Sequence, residues 1–193
     1  LKALQRAFYS RVTLRVAKDL LGKNLVRRID SDELIGRIVE VEAYRGADDP
    51  ASHAYRGRTG RNQVMFGKPG VAYVYFTYGN HYCLNIVTEP EGTPAAVLIR
   101  ALEPVARIKM MKGNRGVTDV QNLTNGPGKL TKTLKIGADL NGYDMVNGEA
   151  LFVADVEQPN KFQIISKPRV GIRVGTDKLW RFYIDGNRYV SRK

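Results

Sequence analysis

The chain has 193 residues, 43% of them hydrophobic, which is enough to build a packed core and bounds it to one domain or at most two small ones. Lys and Arg number 31 against 19 Asp and Glu, a net charge of +12 that points to a polyanionic partner, nucleic acid before membrane. One cysteine and two histidines exclude an intramolecular disulfide and a Cys-rich metal site, and no apolar run of about 18 residues is present to span a membrane.

In chain order, residues 2–9 are mixed and read as an arm or short helix. From Ser10, Val12, Leu14, Val16, Leu20 and Leu21 recur at helical spacing, with Gly22 as a C-terminal stop. Asn24–Ile29 and Leu34–Tyr44 read as the two strands of a hairpin around an Asp30–Glu33 turn. Strand alternation puts Ile38, Glu40, Glu42 and Tyr44 on one face, and Arg37, Val39, Val41 and Ala43 on a mostly apolar one. Glu42 thus sits beside an aromatic ring at a strand end, just before a long loop. That is either a solvated strand face or the layout of a catalytic acid or base.

The segment Gly46–Gly70 is rich in Gly, Asp, Arg and Pro, and long irregular segments inside compact domains are usually functional. Its Arg56, Arg58, Arg61 and Lys68 suit phosphate contacts, or are simply solvated. Val71–Tyr78 and Tyr82–Thr88 form a second hairpin, with Gly79 and Asn80 supplying the positive φ that its turn needs. Tyr78 at the tip is either a wedge for a base stack or a packing contact. Ala95–Leu102 is a strand so apolar that Arg100, on the face of Leu98 and Leu102, demands a carboxylate partner, Glu42 or Glu103. Glu103-Pro104 ends that strand, and a basic helix follows over Val105–Lys112. Thr124–Lys132 is turn chemistry with Pro127 at a helix start. It reads either as an ordinary cap or as an anion site beside Lys129 and Lys132, but it lacks P-loop spacing. Leu151–Ala154, Phe162–Ser166, Val170–Val174 and Trp180–Ile184 are short strands. The fold expected is α+β: a single domain over 1–193, with a curved, mostly antiparallel sheet, surrounding helices and a protruding β-hairpin.

Together these pieces resemble the alkyladenine, or 3-methyladenine, DNA glycosylase family of the monofunctional type. The resemblance rests on Asp19–Gly22, Gly36–Tyr44, His53, Arg61-Asn62, Met65-Phe66, Tyr73–Tyr78, Asn85, Val97–Pro104, Asn125–Lys132, Lys167–Ile172 and Arg181–Ser191, in the family's order. Val41 departs from the Thr found elsewhere between the two glutamates, but it faces away from Glu42. The resemblance implies base-excision repair of alkylated or deaminated purines. It gives Glu42 as the base that activates water, Arg100 as its partner, and Tyr44, His53 and Tyr75 as walls of a base pocket. Asn85 becomes the gate against the 2-amino group of guanine, and Tyr78 the plug that replaces a flipped nucleotide. Arg58, Arg61 and Lys129 remain candidate DNA contacts. The partner expected is double-stranded DNA, met by an intracellular monomer needing no metal or diffusible cofactor. A non-catalytic nucleic-acid-binding module and a lyase-type glycosylase with a Schiff-base lysine stay open beside this reading.

Overall fold

The computed structural model describes residues 1–156 and 161–192. The fold grows from the two predicted hairpins. β1 (Asn24–Ile29) and β2 (Asp32–Tyr44) pair antiparallel, with Ile29 opposite Asp32, so the turn is only Asp30-Ser31, and Asp30 takes a φ of 53°. β3 (Ala72–Thr77) and β4 (His81–Val87) pair from Ala72/Ile86 to Thr77/His81. β5 (Ala96–Ala106) joins them, because it pairs with both β4 and β2. The resulting sheet runs β3-β4-β5-β2-β1-β6, where β6 is Leu151–Ala154. The long β2 also pairs, beyond the end of β1, with β8 (Arg181–Ile184), which in turn carries β7 (Ile164–Lys167). All of these pairings are antiparallel, and the sheet curls into a half-barrel, as expected for the α+β class.

The helices are short. After α1 (Arg6–Tyr9), α2 (Thr13–Leu20) buries Val16, Ala17 and Leu20 against β2 and β5. Its first turn is met by the Glu89 carboxylate, which accepts from the Thr13 backbone N–H at 3.2 Å and hydroxyl at 2.6 Å, a favourable place for negative charge. Val12, assigned to the helix face from spacing, is instead exposed just before it. α3 (Ile108–Arg115) and α4 (Pro127–Thr133) pack on each other, and α4 lies across β4 and β5. Pro127 opens α4 as predicted.

Four expectations are corrected. β5 does not end at Glu103-Pro104 but continues to Ala106, and the basic helix starts three residues later than expected. Pro104 is tolerated because it lies opposite Gly36 beside a register shift, where a missing N–H breaks no regular ladder. Gly36 allows this approach, since a Cβ there would stand 2.9 Å from the Leu102 side chain. Residues 170–174 form turns, not a strand. The alternation of β2 is also interrupted. Register shifts on either side of Glu40 leave Val39 without a partner on β5 and Arg100 without one on β2. Ile38 therefore joins Val39, Val41 and Ala43 in the main core instead of sharing a face with the glutamates. Leu102 belongs to that core too, while Leu98 does not.

Candidate active site

The bulge at Arg100 makes the site. An extra residue in one strand re-aims a side chain, and here it turns a guanidinium toward the two buried carboxylates of β2. Arg100 Nε lies 3.2 Å from Glu40 Oε1, and Nη1 lies 3.4 Å from Glu42 Oε1. Of the two partners suggested by sequence, Glu42 is one; Glu103 instead pairs with Arg37 at 2.7 Å. Glu40 is the partner that sequence reasoning missed. It also accepts from Arg181 Nη1 at 3.0 Å and from the Ser191 backbone N–H at 2.7 Å. Two carboxylates and two guanidiniums thus form a neutral buried cluster, which is what makes burial of each charge tolerable.

Glu42 has no solvent exposure. Its Oε2 accepts from the Tyr44 hydroxyl at 2.8 Å, and its Oε1 from the Val170 backbone N–H at 2.7 Å. Burial pushes its pKa above the ordinary carboxylate value, while Arg100, the Val170 N–H and the Tyr44 hydroxyl pull it back. Burial also opposes the charge of Arg100, but Glu42 and Glu40 outweigh it and hold the guanidinium above its usual range. Tyr44, Arg100 and Val170 all line a cleft of about 720 Å³, so Glu42 lies directly behind its floor.

The hairpin β3–β4 supplies one wall. Tyr73 is opposite Asn85 and Tyr75 opposite Cys83, so these four side chains share the face that lines the cleft. Asn85 is buried and donates from Nδ2 to the Tyr73 carbonyl at 3.2 Å. Burial drives the Tyr75 phenol well up, the Tyr73 phenol up to about 12 and the Cys83 thiol up to about 11, so all three are neutral donors. His53, from the 46–70 loop, stands edge-on to Tyr75 at 4.6 Å, and its Nδ1 lies 2.9 Å from the Tyr73 hydroxyl. Packing against these rings and the nearby Arg61 charge lower its pKa, so the imidazole is neutral at pH 7.

Tyr78 is 81% exposed at the mouth. The positive φ values fall on Tyr78 (51°) and Gly79 (68°), not on Gly79 and Asn80 as expected. For a tyrosine this conformation costs about 1–2 kcal/mol, and such local strain clusters at functional positions. Of the three expected DNA contacts, Lys129 lines the cleft, and its Nζ donates to the side-chain oxygens of Asn122 and Asn125. Arg58 and Arg61 are exposed on the loop, 5.8 Å over the Phe66 ring and 5.3 Å over the Tyr75 ring. Neither is part of the lining. Among the described residues no carboxylate lines the cleft, whereas Arg100, Arg115, Lys129, Lys132 and Arg192 do.

A second buried pair locks the walls together. Arg169 donates to both oxygens of Asp49 at 2.6 Å and to the Ala43 carbonyl at 2.9 Å, with its guanidinium 4.6 Å over the Tyr44 ring. It thereby ties the start of the His53 loop to the strand end of Tyr44 and to Val170. By sequence this arginine stands only within the Lys167–Ile172 segment, with no partner and no role. An Asp in a loop and an Arg 120 positions away offer no local pattern that would pair them.

A family model described as methylpurine-DNA glycosylase matches residues 7–188. Among curated proteins, one from Carboxydothermus hydrogenoformans is 52% identical over 190 residues, covering 98% of this chain and 99% of the relative. One from Methanoculleus marisnigri is 52% identical over 98% and 99% of the two chains. A third, from Desulfitobacterium hafniense, is 46% identical over the full length of both. Each of the three bears the name "Putative 3-methyladenine DNA glycosylase". With nearly its whole length matched by the family model and by relatives at about half identity, this chain belongs to the methylpurine-DNA glycosylase family.

Proposed function

We propose that this protein excises alkylated or deaminated purines from double-stranded DNA, as a monofunctional glycosylase that hydrolyses the N-glycosidic bond with a Glu42-activated water. The observation that carries the reading is a fully buried carboxylate behind the floor of an aromatic, cation-rimmed cleft, held by two hydrogen bonds and the charge of Arg100. A carboxylate has about four acceptor positions, so these two hydrogen bonds leave room for a proton from water. The names of the relatives support a role as a 3-methyladenine DNA glycosylase.

The steps follow from the groups present. A target base inside a duplex cannot reach the cleft, so it is flipped out at a cost of a few kcal/mol. Tyr78, exposed on a stiff turn, enters the stack and offsets part of that loss. The base lies between the Tyr44 ring and the His53–Tyr75 wall, where stacking returns roughly 1–3 kcal/mol. Asn85 at the pocket wall clashes with a 2-amino group and so rejects guanine. The bond between C1′ and the purine nitrogen breaks with its electron pair leaving on the base, and the sugar takes on oxocarbenium character. Water oxygen bonds to C1′, and its proton passes to Glu42. Arg100 fixes the carboxylate and favours its ionised form against the effect of burial. Arg58, Arg61 and Lys129 contact phosphates, with Lys132, Arg115 and Arg192 extending the same positive rim.

The test is release of free base from duplexes carrying hypoxanthine, ethenoadenine or 3-methyladenine, measured for wild type and Glu42→Gln. Wild type releases base and the variant does not. Salt-sensitive binding without release would favour the non-catalytic module, and borohydride trapping of a covalent adduct would favour a lysine nucleophile.

A further inference from the structure

We propose that Arg61 sets the charge preference of the cleft: lying over the Tyr75 ring, it opposes entry of a positively charged purine and leaves neutral purines unhindered. This rests on the glycosylase reading and deepens it by naming a residue that sorts substrates by charge.

A cleft walled by tyrosines would by itself favour cations, because the face of an aromatic ring is electronegative. N3- and N7-methylated purine nucleosides are cationic, whereas hypoxanthine and ethenoadenine are neutral. Yet the ring of Tyr75 already holds a guanidinium at 5.3 Å. A ring with one cation on it attracts a second less, and the two cations repel each other. Arg61 is anchored there by an Nη2 donation to the Phe76 carbonyl at 3.4 Å, and among the described residues it makes no ion pair. No carboxylate among the described residues therefore pairs with its charge. The other wall differs: the arginine over the Tyr44 ring, Arg169, is neutralised by a two-oxygen pairing with Asp49. Although Arg61 lies outside the lining, its charge acts on groups that line the cleft. After burial, it is the charge that lowers the pKa of His53, and it pulls the Tyr73 and Tyr75 phenols down against the upward push of burial.

The experiment compares single-turnover release of 3-methyladenine, the cationic substrate, and hypoxanthine, the neutral one, from otherwise matched duplex DNA, with spontaneous depurination subtracted. The readout is the ratio of the two rates, from which any shared loss of phosphate contact cancels. Arg61→Gln raises the cationic-to-neutral ratio roughly threefold to tenfold, the size expected for one partly screened unit charge near the pocket. Arg61→Lys, which keeps the charge, stays near the wild-type ratio. Arg58→Gln, on the same exposed loop but over Phe66, slows both substrates alike and leaves the ratio unchanged. Release of both bases with an unaltered ratio in Arg61→Gln overturns the assignment of Arg61 alone, as does an equal change in Arg58→Gln. Release of neither base by wild type overturns the glycosylase reading and this assignment with it.

Discussion

Replacing Glu42 by Gln separates catalysis from stability, because the structure gives the two effects opposite signs. Gln is nearly isosteric. Its oxygen can keep the Val170 N–H bond now 2.7 Å long, and its amide can donate to the Tyr44 hydroxyl that now donates to Oε2. What disappears is a buried negative charge. The folded-state pKa of Glu42 is raised above the ordinary 4.5 even after the help of Arg100, so at neutral pH the ionised side chain opposes folding. That penalty is fully present above the folded-state pKa and fades as pH falls toward 4.5. Glu42→Gln therefore melts at or above the wild-type temperature at pH 8, and the difference shrinks as pH is lowered. Arg100 is not orphaned by the change, since Glu40 remains 3.2 Å away. Base excision, in contrast, falls by about 10²–10⁴-fold, the usual contribution of a general base. Single-turnover release of hypoxanthine from a duplex and thermal melts at pH 6 and pH 8 measure both. A variant that keeps more than about a tenth of the wild-type rate refutes the catalytic role. A melting point lower by more than about 4 °C at pH 8, worth roughly 1 kcal/mol in a chain of this size, refutes the electrostatic argument.

Other substitutions probe the remaining parts. Tyr44→Phe keeps the ring wall but removes the hydroxyl that steadies the Glu42 carboxylate, so the acid limb of the single-turnover pH profile moves to higher pH; an unmoved limb means that this hydrogen bond does not tune the base. Tyr78→Ala weakens recognition of a lesion in duplex DNA more than in single strands, and equal losses would reduce Tyr78 to a support for the hairpin. Because Tyr78 carries a positive φ, Tyr78→Gly is more stable than Tyr78→Ala by about 1 kcal/mol, read as a melting difference of roughly 2–4 °C. Asn85→Ser raises excision of guanine-type bases relative to hypoxanthine; a ratio that stays constant while overall activity drops would place the gate elsewhere and leave Asn85 as a brace on the Tyr73 carbonyl.

Much of this molecule follows from local pattern. The strand over Leu34–Tyr44, the short spacer between Tyr78 and Tyr82 and the Pro127 helix start each depend on neighbours within a few positions, and each appears close to where the sequence puts it. Tyr73, Tyr75 and Asn85 also become neighbours by local rules, because a tight hairpin fixes its own register. The floor of the cleft does not follow in this way. Arg100 faces Glu40 and Glu42 only because β5 carries one extra residue opposite β2, and a regular period of two cannot announce where it will slip. The same limit hid Glu40 among solvated strand charges, although Arg181 and Ser191 close over it from more than 140 positions away. It also hid Arg169, whose pairing with Asp49 across 120 positions holds the pocket walls. The sequence by itself thus determined most of the strands, both hairpins and the tyrosine face of the second one, since these rest on short-range backbone preferences and tight-turn register. Tertiary structure alone decided which charges meet, because a buried carboxylate finds its partners through the curl and slip of a sheet whose strands come from distant parts of the chain.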